Sequence, residues 1–198
     1  PHYTLVYARP ANVGSRYGTI APKLRAEAYK MSAFLDAESQ SVNPDAGRRM
    51  PFICDADAPR VLDVTIPAVG GGGVEFNALV DSLKQTGLSF NDPTGNERYA
   101  VFVDAESSTG ASGTGHVFSN DSSPGASNSN NRGGLYAVQY RYDGADAPVW
   151  STMLHEIGHT MGAVTNSAPN ATGAGHCHDD QDLMCYQDGF GDAQYSPT

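Results

Sequence analysis

Positive charge is scarce in this 198-residue chain: 12 Lys and Arg face 22 Asp and Glu, leaving a formal net charge of −10 and a pI near 4.8. So acidic a chain carries no electrostatic footprint for nucleic acid or for an anionic membrane surface. Long apolar runs are also missing, and no segment approaches the roughly 18 consecutive apolar residues of a membrane-spanning helix. The chain opens at Pro1 with no charged segment leading into an apolar one, which reads as a processed, soluble, mature protein. Cysteine is rare as well. Cys54, Cys177 and Cys185 are too few for a disulfide scaffold, but the last two are close enough to close a small loop, which leaves Cys54 as a buried free thiol or a residue paired outside the chain. What is abundant is Gly, Ser, Asn and Asp, a composition suited to a secreted, extracellular protein with long ordered loops, with calcium (Ca2+) as a candidate tie.

The length fits one domain that buries its own core, and a monomer is expected. Tyr3 to Ala8 is rich in β-formers and stops at Arg9-Pro10, a first strand. Ile20 to Ser39 sets Leu24, Ala28, Met31 and Leu35 at helical spacing behind Pro22. Val61 to Ile66 alternates as a half-buried strand. Gly70 to Gly73 form a joint, and the absence of a following Lys-Ser/Thr removes them as a phosphate loop. Val74 to Thr86 predicts a helix capped by Gly87, and Tyr99 to Asp104 a central apolar strand. Within the Gly/Ser/Asn-rich stretch that follows, Gly115 to Ser119 reads as a short edge strand. Leu135 to Tyr142 alternates again, and Pro148 opens a last helix through Trp150, Met153, Leu154, Ile157 and Met161. The alternation of strands and helices, without internal repeats, predicts an α+β domain in which helices cover a mixed sheet.

The chemistry is concentrated in that last helix. His155 and His159 are four residues apart, hence one turn apart on one face, so both imidazoles can reach one metal ion. Glu156 beside the first of them can take the proton of a water that the metal acidifies, which supplies a nucleophile at neutral pH. Gly158 and Gly162 each cost about 1 kcal/mol relative to Ala inside a helix, which points to a packing or turning need.

The run His155-Glu156-Ile157-Gly158-His159-Thr160-Met161-Gly162 resembles the metzincin clan of zinc endopeptidases. The resemblance implies one catalytic Zn2+, a twisted mixed five-stranded sheet with a backing helix and an active-site helix in an upper subdomain of about residues 1–162, and a small irregular C-terminal subdomain of about residues 163–198. It implies that Gly162 ends the helix and turns the chain toward a third ligand. The chain departs from the pattern there, because Thr165 stands where the clan usually has His. An insertion before the third histidine resembles the leishmanolysin branch and favours His176, which Gly173 and Gly175 can deliver and Cys177 can anchor. His178 is the alternative, followed by Asp179 or Asp182, since the snapalysin branch uses Asp. The segment from Asp182 to Tyr186 resembles the Met-turn, which would lay Met184 beneath the ligands. Tyr186 matches the Met-x-Tyr spacing of astacins and serralysins, where the tyrosine binds zinc or stabilises the oxyanion. A Cys177–Cys185 disulfide would hold ligand and floor in register.

In metzincins the edge strand, here residues near Gly115 to Ser119, binds a polypeptide substrate in extended form. His116 on it is expected to be a rim side chain, and His2 to be solvated. The run from Asn120 to Asn131 offers oxygen ligands without the spacing of a recognised calcium loop. A secreted binding or adhesion module with a structural or inactive metal site remains the competing reading, and hydrolysis of a non-peptide bond a third.

Overall fold

The structure is a computed structural model and describes residues 2–88, 97–117, 136–142, 146–178 and 182–185. Their elements are β1 (His2–Pro10), α1 (Tyr17–Val42), β2 (Cys54–Asp55), β3 (Ala58–Pro59), β4 (Val61–Ile66), α2 (Phe76–Gln85), β5 (Glu97–Val103), β6 (Gly113–Gly115), β7 (Tyr136–Tyr140) and α3 (Trp150–Met161). The fold class is α+β. A five-stranded sheet runs in the order β4-β1-β5-β7-β6, parallel throughout except for β6, which pairs antiparallel with β7.

The period of two in β1 distributes its side chains between two cores. Tyr3, Leu5 and Tyr7 face α1 and α3, packing with Leu24, Met31, Met153 and Ile157. Val6 and Ala8 face α2, with Leu79, Leu83 and Val101. Because both faces of β1 and β5 are covered, their runs are apolar without alternation, as in parallel sheets generally. β7 is also buried along its whole length, where its sequence alternation predicted a half-buried strand. The polar member, Gln139, is buried with its amide engaged at the entry to α3.

Other boundaries shift for identifiable reasons. α1 begins at Tyr17, ahead of Pro22, because the Tyr17 hydroxyl donates to Val61 O at 2.9 Å and Arg16 is held by Asp104 at 2.6 Å. Val74 does not join α2: its N–H and C=O bridge to Glu106 and Ser108, and Glu75 caps the helix by accepting from Ala78 N–H at 2.8 Å. Gly73, at φ 78°, lies so close to Ser107 that a Cβ would stand 2.7 Å from its backbone, so this glycine serves close approach as well as turning. Cys54 sits in the unanticipated β2–β3 hairpin and is exposed, contrary to the expectation of a buried thiol. The edge strand is Gly113–Gly115, earlier than residues 115–119, of which 118 and 119 lie outside the described residues. Met161, expected on the apolar stripe, is 47% exposed at the end of α3. Among the described residues no helix is long and apolar enough to cross a membrane.

Candidate metal centre

Both ends of α3 are pinned. At its start, Val149 N–H donates to Gln139 Oε1 at 2.9 Å and Trp150 N–H to Glu27 Oε2 at 2.8 Å, placing a carboxylate where the helix dipole favours one. At its end, Arg98 Nη1 donates to Thr160 O at 2.6 Å, and the Tyr3 and Thr160 hydroxyls are 2.7 Å apart. Gly162 adopts φ 71°, with Gly162 N–H bonding His159 O and Ala163 N–H bonding Gly158 O. This pair of bonds is a Schellman cap, and a left-handed residue there is most easily glycine.

The chain then returns through a tight loop. Thr172 N–H donates to His176 O at 2.8 Å, and Gly173 and Gly175 take φ 85° and 87°, which swings His176 back over α3. His159 Nε2 is consequently 3.0 Å from His155 Nε2 and 3.1 Å from His176 Nε2. Leu183 O lies 2.7 Å from His155 Nδ1. A carbonyl only accepts, so the proton of neutral His155 is on Nδ1 and its Nε2 presents a lone pair. A single proton on His159 Nε2 would point along only one of its two short contacts. The arrangement therefore leaves nitrogen lone pairs facing one another and suits a cation better than hydrogen bonding. Tetrahedral zinc with bonds of about 2.05 Å spaces its nitrogen ligands roughly 3.3 Å apart, close to the observed separations. His155, His159 and His176 thus form a group that could hold a metal ion.

Burial disfavours the charged form of His155 and His159, in the direction that ligation requires. Burial lowers His155 despite its bond to Leu183 O, and burial followed by the charges of His155 and His176 brings His159 down to about 3. Glu156 is only 6% exposed, and burial pushes its carboxyl up to about 8. A divalent cation held by the histidines would act in the opposite direction.

The site opens into a cleft of about 600 Å³ between β6, α3 and the segment around Leu183 and Cys185. No protein-family model matches the chain, and no curated protein does. Among solved structures, metalloproteinase-II from Bacteroides fragilis is similar at a TM-score of 0.43 and 16% sequence identity, over 93% of this chain and 46% of that one. The chain spans about half the length of that neighbour.

Of the other named residues, some lie against the histidines and others do not. Met184 is 7% exposed, and a Cβ on Gly158 would run into its Sδ and stand 3.0 Å from its Cε, so the packing need behind this helix glycine is Met184. Cys177 and Cys185 are bonded, tying the segment after His176 to the one carrying Leu183 and Met184. Asp182 commits its carboxylate to Met184 N–H at 2.7 Å, and its C=O accepts from Cys185 N–H, so it shapes the turn. His178 is not part of the histidine group, and Thr165 uses its C=O to close a turn with Ala168. His116 does not stand at the rim of the cleft: its ring packs 5.0 Å from that of Phe76, on the α2 side of the sheet. Tyr186, Asp179 and residues 120–131 lie outside the described residues.

Sequence reasoning missed the Leu183 carbonyl, Gln139, Glu27 and Arg98. A backbone carbonyl leaves no signal in sequence, and the other three act across 10 or more residues of separation. The close approach of Gly113 and Gly115 to Glu156 was also missed, although two glycines spaced by two on one strand face were a readable sign of it.

Proposed function

We propose that the chain is a secreted zinc endopeptidase of metzincin type, in which His155, His159 and His176 hold one catalytic Zn2+. The carrying observation is the convergence of three imidazole nitrogens beside a buried carboxylate at the floor of an open cleft. Zinc bound there would acidify a water and polarise a carbonyl oxygen. The Glu156 carboxylate makes no hydrogen bond among the described residues. In this reading its carboxylate accepts the water proton and delivers it to the leaving amine. Tyr186 is assigned to the oxyanion and Met184 to the floor of the site.

An extended polypeptide would lie along β6. Ser112 O accepts from Tyr140 N–H and His116 N–H donates to Tyr136 O. By the alternation of an antiparallel ladder, the N–H and C=O groups of Gly113 and Gly115 therefore turn away from β7 and toward the cleft. Such an edge offers main-chain bonds to a substrate strand. The disulfide supports an oxidising, extracellular setting, and the chain is read as a monomer.

Casein digestion with and without a chelator tests the activity. Glu156→Gln should retain zinc and lose hydrolysis by roughly 10²–10⁴-fold. Full activity in that variant would sink the mechanism. Zinc retention without hydrolysis in the unmodified chain would favour the binding module.

A further inference from the structure

We infer that Gly113 sets the position of the Glu156 carboxylate and that Gly115 sets the approach of β6 to α3, an assignment that rests on the reading of Glu156 as the base. Glycine weakens a strand interior, and neither residue has the positive φ that would demand it. The requirement is therefore for space. A Cβ on Gly113 would stand 2.8 Å from both Cγ and Cδ of Glu156 and closer still to its Oε1. A Cβ on Gly115 would stand 2.7 Å from the Glu156 backbone O, 3.1 Å from Oε2 and 3.2 Å from His159 Cβ. Two residues apart, the glycines lie on the same strand face and make a flat wall against which the Glu156 side chain rests. With no hydrogen-bond partner among the described residues, the carboxylate is located by this steric wall and by the χ angles of its own side chain. The strand offered to the substrate thus also places the base, coupling where a peptide would bind to where its water would be deprotonated.

The test is Gly113→Ala in the zinc-loaded chain. The added methyl should displace the carboxylate, and a misplacement of about 1 Å costs on the order of 10²-fold in rate. The expected result is a kcat for casein-derived peptides lower by about 10–100-fold, with KM within about threefold and zinc content unchanged. A stability cycle gives a second readout independent of activity. Gly113→Ala should lower the melting midpoint by about 3–8 °C in the unmodified chain, and by far less once Glu156→Ala has removed the atoms it meets. Gly115→Ala should be costly in both backgrounds, since the backbone oxygen it meets remains. Unchanged kcat in Gly113→Ala, or an equal melting loss with and without the Glu156 side chain, overturns the assignment. If Gly113→Ala alone fails to fold, the double variant decides: folding supports the contact, and failure overturns it. Absence of chelator-sensitive hydrolysis in the unmodified chain would refute the peptidase reading, and would leave the stability cycle to judge the contact.

Discussion

The Cys177–Cys185 bond joins two parts of the candidate metal centre that come from different stretches of chain. On one side is His176; on the other is Leu183, whose carbonyl fixes the His155 tautomer. If the histidines hold zinc as proposed, replacing both cysteines by Ala should therefore weaken its binding, although neither cysteine belongs to the histidine group. The two are eight apart in sequence, and the chain-entropy relation for a loop of that size gives about 2.5 kcal/mol. If the open segment must be ordered each time zinc binds, that whole cost appears in affinity, a loss of up to roughly 70-fold. Competition with a chromophoric chelator at pH 7 measures it directly. The stability of the metal-free double variant, followed in urea, shows how much of the cost has moved elsewhere. Zinc affinity within twofold of the unmodified chain would refute the claim that this bond preorganises His176.

Two further substitutions probe the packing. Gly158→Ala should gain about 1 kcal/mol from helix propensity but lose about 1–3 kcal/mol from crowding Met184, a net destabilisation of up to about 2 kcal/mol. In a Met184→Ala background the same change should become stabilising by about 1 kcal/mol, and urea denaturation that shows no change of sign would remove Met184 as the reason for the glycine. Asp104 is fully buried and accepts from Arg16 at 2.6 and 2.9 Å and from Tyr7 at 2.7 Å. Burial alone would raise its carboxyl, but these bonds and the charges of Arg16 and Arg141 leave it below the ordinary value. A depressed carboxyl contributes stability that is complete above its unfolded pKa of about 3.9 and is lost as pH falls through the folded value. Asp104→Asn should thus cost about 2–3 kcal/mol at pH 7, less than a fully buried pair because Arg16 is partly exposed. The gap should close toward pH 2 when both metal-free chains are compared by denaturation, and a gap that does not vary with pH would contradict the account.

What the sequence by itself determined is local in character. The four-residue spacing of His155 and His159 and the apolar strand over residues 99–103 follow from backbone periods that act within a few residues, and the helix-ending role of Gly162 from the motif's resemblance. The α+β class follows from the order in which those periods alternate. Even local reading erred where a distant partner intervened. The alternation over residues 135–142 gave no sign that Gln139 is buried with its amide spent on the entry to α3, and Cys54, expected as a buried thiol, is carried to the surface by a two-strand hairpin. The gathering of His176 with the two helix histidines, the choice of Leu183 O as the acceptor behind His155, and the wall that Gly113 and Gly115 present to Glu156 were decided only by the tertiary structure. Each is a contact between segments far apart in the chain, and its geometry depends on how the sheet, α3 and the returning loop pack together. No periodicity in the sequence encodes such a distance.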